Sequence, residues 1–331
     1  MAIKGVGIDV GTGTMVSARK TEESNIISIS KLRNAFLDLP PEHKRMLRLS
    51  KTSYIEYDNK LLVIGDAAIS TANLFNKEAR RPMADGLMSA GELDAQGVIA
   101  VMMKHLLGDP VIESESCCYS VPAPALDVPK SDIVYHRAIL GKILTELGYK
   151  SQAVNESLAI IYSECSDDNF SGLGISLGAG MTNICLSYNA MSALEFSLAR
   201  GGDSVDAGAA KAVGTTAAKI CMIKEAGVDI SAPKNREEEA IALYLQALID
   251  YSIDNIIKHF YKVKNEILIP KPIPLIISGG TSLAGGFVEK FKERFNIYKD
   301  KFPVAISEIR AAKDPMTAVA TGLLLYAQLE D

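Results

Sequence analysis

The sequence lacks the patterns that bind metals through histidine or cysteine. Its four histidines are scattered singly, which argues against a histidine metal centre. None of its five cysteines forms a C-x-x-C pair, and an odd number in apolar surroundings is typical of reduced core thiols. We therefore expect a cytoplasmic protein without a disulfide framework. The residues concerned are His43, His105, His136, His259, Cys117, Cys118, Cys165, Cys185 and Cys221.

An excess of basic charge and a long hydrophobic run are also missing. Lys and Arg total 35 against 40 Asp and Glu, a formal net charge of −5, whereas nucleic-acid binding needs a dense basic patch. We therefore expect no direct nucleic-acid partner. The apolar stretches are shorter than the roughly 20 residues of a membrane span. The first strand begins so early that we expect no signal peptide or membrane-anchor helix before it.

What the 331 residues do contain is glycine in three segments that follow strand-like stretches. These are residues 7–14 (GIDVGTGT), 174–182 (GISLGAGMT) and 275–282 (LIISGGTS). The first two are near-copies about 167 residues apart, which predicts an internally duplicated architecture of about two domains. Because glycine has no Cβ, such segments let backbone N–H groups close around an anion. Two hairpin tips of this kind predict two lobes that grip one polyphosphate.

Strand and helix patterns alternate in both halves, which predicts an α/β protein. Residues 3–20 form two predicted strands joined by the Gly-Thr tip, and residues 28–75 form a small predicted insertion. Asn235 and Glu238 have the side chains of a capping box that opens the strongest helical pattern. Asp314 before Pro315 predicts the start of a last helix over residues 316–329.

Asp9 stands in the first hairpin, just before its glycine tip. A carboxylate beside a phosphate cradle would repel the ligand unless a cation lies between them. The chemistry that fits is a hydrated Mg²⁺ that neutralises the phosphates. An aspartate that only caps a turn is the alternative.

A longer set of motifs is more specific than any one of them. In chain order it comprises residues 7–14, 121–123 (VPA), 155–156 (NE), 178–182 (GAGMT), 201–203 (GGD) and 278–282 (SGGTS), supported by 81–87 (RPMADGL) and 315–322 (PMTAVATG). This set resembles the actin-like ATPase superfamily of actins, heat-shock chaperone ATPases and sugar kinases. Within it, the chain is similar to the bacterial actins, with a pattern closest to those of MreB and MamK. The resemblance covers essentially the whole chain.

The resemblance implies an α/β fold of two RNase-H-like domains, the actin fold, which face a central nucleotide cleft. Each domain would carry a small inserted subdomain. Domain I would comprise residues 1–165 and 310–331, with its subdomain at about 28–75. Domain II would comprise residues 166–309, with a helical subdomain at about 204–258. ATP or ADP with Mg²⁺ is the implied ligand.

The same resemblance implies roles for individual residues. Asp9 would hold Mg²⁺ through water, and Glu156 would orient the attacking water, since a carboxylate acceptor can align it with the γ-phosphate. The alternative for Glu156 is a polar residue that starts a helix. Thr216 and Lys219 fall where bacterial actins contact ribose and adenine. The implied phosphate and adenosine contacts are Gly11, Thr12, Gly13, Thr14, Gly178, Ala179, Gly180, Met181, Thr182, Gly202, Gly279, Gly280 and Thr281.

Two positions depart from the family pattern. Ser176 stands where most relatives have an aspartate in the water shell of the metal, and Asn183 stands where they have an acidic residue or histidine that helps to hold the catalytic water. Loss of one such carboxylate costs about 1–3 kcal/mol, which corresponds to a roughly 5- to 150-fold slower reaction. We therefore expect nucleotide binding with slow hydrolysis.

Three function classes remain open. An ATP-dependent filament of this chain is favoured, and Leu47, Leu49 and Tyr57 in the insertion are candidates for exposed subunit contacts or for local core. A non-polymerising assembly protein, which uses nucleotide for structure, fits the two departures. A small-molecule kinase is less favoured, because such members use an aspartate base where this chain has Glu156. The choice between ATP and GTP stays open.

Overall fold

The protein is described from a computed structural model over residues 5–20, 26–128, 133–263, 268–302 and 304–329. The start of the predicted first strand, at residues 3–4, lies outside these residues, as do residues 1–4 and 330–331 of predicted domain I. The strands in chain order are β1 (Val6–Val10), β2 (Thr14–Lys20), β3 (Ile27–Arg33), β4 (Phe36–Leu39), β5 (Ile55–Tyr57), β6 (Lys60–Ile64), β7 (Met83–Ala84), β8 (Leu87–Met88), β9 (Ser116–Val121), β10 (Lys150–Asn155), β11 (Gly172–Leu177), β12 (Thr182–Tyr188), β13 (Met191–Leu198), β14 (Ile273–Ser278) and β15 (Ile306–Ala311). The α-helices are α1 (Lys44–Leu49), α2 (Asp66–Leu74), α3 (Ala95–Leu107), α4 (Ile133–Glu146), α5 (Glu156–Glu164), α6 (Gly202–Val213), α7 (Ala217–Glu225), α8 (Arg236–Val263), α9 (Phe287–Tyr298) and α10 (Ala318–Leu329).

Two five-stranded mixed sheets form the body of the molecule. Their orders are β10-β9-β1-β2-β3 and β13-β12-β11-β14-β15. In each sheet three consecutive strands form an antiparallel meander, and two later strands extend it in parallel beside the first strand. The two sheets therefore have the same topology, which confirms the predicted α/β fold of two RNase-H-like domains. The first domain is built on the sheet with β1, and the second on the sheet with β11.

The last helix, α10, packs on the first sheet because glycines let the backbones touch. A Cβ atom on Gly7 of β1 would lie 2.3 Å from the carbonyl oxygen of Ala320, and one on Gly322 would lie 1.8 Å from that of Ala159 in α5. Side chains cannot occupy such gaps, so both positions require glycine. Helix α10 therefore contacts both the first sheet and α5. It holds α5, the helix that begins with Glu156, close to that sheet.

The insertion between β3 and α3 has a core of its own. Strands β4, β6 and β5 form a three-stranded sheet, and helices α1 and α2 cover it. The prediction began this insertion at residue 28, but β3 pairs with β2 along its length and so belongs to the main sheet. Leu47 is fully buried in the small core, while Leu49 is 76% exposed and Tyr57 is 38% exposed. Of the three candidate contact residues, Leu47 is therefore local core.

Helix α8 is the central helix of the second domain. Its start has the side chains of the predicted capping box: the Asn235 Oδ1 accepts from the Glu238 amide at 2.9 Å, while the Glu238 carboxylate accepts from Asn235 Nδ2 and from the Lys234 amide, one residue before the cap. By length and composition the stretch Arg236–Lys262 is able to cross a membrane. Half of its apolar window, however, is buried inside the molecule, where it packs in the core of the second sheet. Helix α8 is therefore a core helix of the second domain.

We predict that Gly322→Ala destabilises the protein. The added methyl group would collide with the Ala159 carbonyl, and overpacking of this kind costs about 1–3 kcal/mol even though alanine favours helix. Gly91→Ala is the matched control, since the nearest atom to its new Cβ would be 3.8 Å away. Urea unfolding monitored by circular dichroism would give both free energies. Equal stability of the two variants would contradict the proposed close packing of α10 on α5.

Candidate functional site

A cavity of about 530 Å³ lies between the two domains. Its volume is in the range of small-molecule and cofactor sites. The two glycine-rich hairpin tips and the third glycine segment all line it, although they are far apart in the sequence. Residues from the first domain include Asp9, Gly11, Thr12, Gly13, Thr14, Arg33, Arg81, Gly86, Ser120 and Glu156; those from the second include Ser176, Gly178, Ala179, Gly180, Met181, Asn183, Gly202, Asp203, Asp206, Cys221, Lys224, Glu225, Gly279, Gly280 and Thr281.

The two hairpin tips approach each other closely across the cavity. We call residues 11–14 the first glycine loop and residues 178–182 the second glycine loop. A Cβ atom on Gly13 would lie 3.1 Å from the Cβ of Ala179. One on Gly180 would lie 2.3 Å from the amide nitrogen of Gly86 and 2.8 Å from the Thr12 hydroxyl oxygen. Gly180 therefore has no room for a side chain, and the Thr12 hydroxyl beside it accepts from the Gly86 amide at 3.1 Å.

The third glycine segment, residues 279–281, is joined to the second glycine loop. Gly279 has a φ of 93°, a left-handed conformation that glycine adopts without strain. The Thr281 hydroxyl and the Gly202 amide both donate to the Gly178 carbonyl at 2.9 Å. These bonds fix the start of helix α6 and the segment after β14 to the same loop. Thr182, at the end of the loop, is fully buried and donates to the Arg200 carbonyl at 2.8 Å.

Asp9 and Glu156 are the two carboxylates at the base of the cavity. Asp9 lies on β1, and its Oδ1 accepts from the Ser120 hydroxyl at 2.7 Å. Glu156 is the first residue of α5, after Asn155, whose side chain caps the helix. Burial raises the pKa of Asp9 above its ordinary value. The pKa of Glu156 is raised as well, first by burial and then by the negative charge of Asp9.

Both oxygens of Glu156 accept hydrogen bonds from the second sheet. Ser176 donates to Oε1 at 2.5 Å, and the Asn183 side-chain amide donates to Oε2 at 2.8 Å. Ser176 and Asn183 face each other in the register of β11 and β12. The hydroxyl of Ser197 donates to Asn183 Oδ1 and so orients its amide. The two residues that depart from the family pattern therefore contact the predicted catalytic carboxylate directly.

Thr216 and Lys219 are not at the cavity. Thr216 caps α7 by accepting from the Lys219 amide at 3.2 Å, and the Lys219 ammonium lies 3.3 Å from the carboxylate of Glu237 on the surface. The same helix instead presents Lys224 and Glu225, one turn further on. Helical spacing indicates that Lys224 lies on the inner face of α7, because it follows the buried Ile220 by four residues and residues four apart share a face.

Three ion pairs at the cavity were not predicted from the sequence, although Arg81 and Asp203 belong to motifs 81–87 and 201–203. Arg33 forms two hydrogen bonds of 2.9 Å with Glu225, and one nitrogen of Arg81 lies 3.0 Å from both oxygens of Asp203. Each of these pairs joins the first domain to the second. Lys224 lies 2.7 Å from Asp206 within the second domain. No local pattern reveals the first two pairs, because their partners are more than 100 residues apart in the chain.

The charges that line the cavity fit a divalent cation together with an anion. The lining contains five carboxylates and three cationic side chains. Each cation is already paired, so among the described residues Asp9 and Glu156 have no cationic partner. The described residues contain no group of three or more metal-ligating side chains. Mg²⁺ typically keeps several waters and binds one or two carboxylates plus ligand phosphates, which suits this sparse donor set.

Comparison with solved structures identifies the same fold. MamK in a double helical filament has a TM-score of 0.70 at 18% identity, with 98% of each chain covered. MreB5 of Spiroplasma citri bound to AMPPNP has a TM-score of 0.70 at 13% identity, over 100% of this chain and 97% of that one. The ethanolamine utilization protein EutJ of Carboxydothermus hydrogenoformans has a TM-score of 0.58 at 16% identity, over 98% and 90% of the two chains. A comparison with curated proteins found no match.

The two equivalent sheets and these full-length similarities define an actin-fold protein, which confirms the resemblance to MreB and MamK. At such identities the structural likeness establishes the fold alone. The sequence model of the Volactin family matches residues 4–327, and the chain belongs to that family.

We predict that Glu156→Gln stabilises the ligand-free protein at high pH more than at low pH. A carboxyl group whose pKa is raised on folding stays protonated in the folded state while it ionises in the unfolded state. Stability is therefore lost as the pH rises from the ordinary pKa towards the raised one. The neutral amide avoids this loss and can still pair with Ser176 and Asn183.

The measurement is the melting temperature at about pH 5 and about pH 8. The gain over wild type should be at least about 2 °C larger at the higher pH. Glu78→Gln, at an exposed site outside the cavity, controls for the loss of one charge. A gain that does not change with pH would contradict a raised pKa at Glu156.

Proposed function

We propose that this protein binds ATP with Mg²⁺ between its two domains and polymerises into filaments in the cytoplasm. One observation carries the nucleotide site: two equivalent glycine loops, one from each domain, meet at a single cavity beside two carboxylates that lack a cation. Solved structures of similar proteins support it, since MamK was solved as a double helical filament and MreB5 was solved with AMPPNP and with ADP.

The cavity walls suggest where each part of the nucleotide would bind. The first and second glycine loops would hold the phosphates through backbone N–H groups. Asp9 would hold the metal ion through water, and Mg²⁺ supplies neutralisation of the phosphate charge when bound. A Cβ atom on Gly202 would lie 2.7 Å from the Thr281 hydroxyl and 3.1 Å from the Lys224 ammonium, so the third glycine segment and Lys224 meet at Gly202, and we assign the adenosine to this end. Thr216 and Lys219 are not part of this assignment.

Hydrolysis should be slow because Glu156 is engaged by the protein. A residue that positions the attacking water must accept its hydrogen bond, and phosphoryl transfer depends mostly on such positioning. Ser176 and Asn183 already donate to both carboxylate oxygens. These two donors draw charge from the carboxylate and so weaken it as an acceptor for water, and Ser176 provides no second carboxylate for the metal.

A non-polymerising assembly protein is the second candidate function. The engagement of Glu156 favours it, because such a protein needs nucleotide to fix its structure and not to drive turnover. The structural likeness to EutJ, which is described as a utilization protein, is compatible with a member of the fold outside the cytoskeleton. In that case an adaptor partner would replace self-association. Among the described residues that line the cavity, none favours a small-molecule kinase in the way that the engaged Glu156 favours an assembly protein.

Sedimentation followed by negative-stain electron microscopy separates the two candidates. We expect wild-type protein to pellet as filaments with ATP and Mg²⁺ or with a non-hydrolysable analogue, and less with ADP. Asp9→Asn is the matched control, since it keeps the shape of the side chain and its bond to Ser120 but weakens metal binding. Calorimetric nucleotide binding without pelleting would favour the assembly protein, and no binding of ATP or GTP would refute the site itself.

A pair of substitutions at Ser176 tests the proposed slow hydrolysis. Ser176→Asp restores the second carboxylate and removes the donor to Glu156, so phosphate release should rise roughly 5- to 150-fold. Ser176→Ala removes the donor without adding a carboxylate, so its effect should be smaller. Steady-state phosphate release with saturating Mg²⁺ and ATP measures both rates. If Ser176→Asp is no faster than wild type, the missing carboxylate does not limit the reaction.

A further inference from the structure

Asn34 lies directly behind the first glycine loop and contacts it twice. Its backbone amide donates to the Gly13 carbonyl at 3.0 Å, and its side-chain Nδ2 donates to the Gly11 carbonyl at 2.9 Å. The residue follows β3, at the passage from the main sheet to the small inserted sheet. It is fully buried and does not line the cavity, so it cannot touch a ligand there.

These two bonds determine the direction of the loop amides. In a planar trans peptide the C=O and N–H groups point in opposite directions. Because the carbonyls of Gly11 and Gly13 point back to Asn34, the N–H groups of Thr12 and Thr14 point away from it. The cavity lies on that side of the loop, since residues 11–14 line it and Asn34 does not. Asn34 thus holds two backbone donors in the orientation that an anion requires.

The remaining polar atom of Asn34 argues for a specific requirement. Its Oδ1 is buried and has no hydrogen-bond partner among the described residues. A buried acceptor without a partner destabilises a fold, and an apolar side chain of the same shape avoids that cost. The position nevertheless carries an amide, and the amide group that is used is the donor to Gly11. Packing of the core alone gives no reason for this choice.

We infer that Asn34 is a positioning residue for polyphosphate recognition: it aims the Thr12 and Thr14 amides at the phosphates without touching them. The inference rests on the proposed nucleotide site. It assigns the effect of Asn34 to the phosphate part of the ligand, because the third glycine segment, which we assign to adenosine, is not bonded to it.

The test compares ATP with adenosine in binding to Asn34→Ala and Asn34→Leu. Leucine keeps the branching and the number of heavy atoms of asparagine without its polar groups, so it serves where the alanine variant does not fold. Ser187→Ala is the matched control, because Ser187 is also fully buried and donates to a backbone carbonyl, that of Phe170 at 2.8 Å, far along β12 from the loops. Isothermal titration calorimetry in Mg²⁺, with competition against labelled ATP for weak ligands, gives the dissociation constants.

We expect the Kd of Mg-ATP to rise about tenfold in the Asn34 variants, with the Kd of adenosine changed less than about twofold. The control should keep both values. Equal weakening of ATP and adenosine, or unchanged ATP binding in a folded Asn34 variant, would overturn the inference while leaving the nucleotide site intact. Wild-type protein that binds neither ATP nor GTP would overturn the proposed function and the inference together.

Discussion

Close contact between the two glycine loops is the constraint on which the rest of the structure depends. Gly180 lies so near Gly86 and Thr12 that a single added carbon would displace the backbone. The loops come from equivalent hairpins of two separate sheets, so this contact also sets how the domains face each other. The same two loops line the cavity beside this contact. A ligand rich in acceptors, such as a phosphate chain, suits glycine loops whose backbone N–H groups can approach it.

Charge imposes the second constraint, because every cation that lines the cavity is already paired. Arg33, Arg81 and Lys224 neutralise Glu225, Asp203 and Asp206, which leaves Asp9 and Glu156 close together in a poorly solvated space. Two carboxylates in this position cannot both ionise easily. A polyphosphate alone would add its full negative charge, whereas Mg²⁺ bound with it would offset two of those charges and place positive charge beside Asp9. The glycine loops and the charges of the cavity therefore favour the same ligand, a polyphosphate bound together with Mg²⁺.

The sequence predicted what is encoded locally and missed what depends on long-range packing. Both glycine loops, Asp9 and the capping box at Asn235 were predictable, because turn geometry and helix starts depend on neighbouring residues. Lys219 was predicted as a nucleotide contact on helix α7, but Lys224 of that helix lines the cavity instead. A motif locates the helix in the sequence but does not determine which of its faces turns to the cavity. Leu47 became core because the small sheet closes over it. Arg33 and Glu225 are 192 residues apart, and only the facing of the two domains makes them a pair.

Glu156 links the chemistry of the site to the relation between the domains. It begins a helix that α10 holds against the first sheet, yet its carboxylate is bonded to Ser176 and Asn183 of the second sheet. The arginine pairs that also join the domains are partly exposed, and pairs of that kind contribute only about 0–1 kcal/mol each. A buried hydrogen bond contributes about 0.5–1.5 kcal/mol, and a buried carboxyl group left without its partners costs about 1–3 kcal/mol. Under the proposed function, a water molecule on Glu156 shares its carboxyl group with two hydrogen bonds that join the domains, and those donors lower its strength as an acceptor. Slow hydrolysis and a closed cavity are then two consequences of one arrangement, because the same carboxyl group serves both.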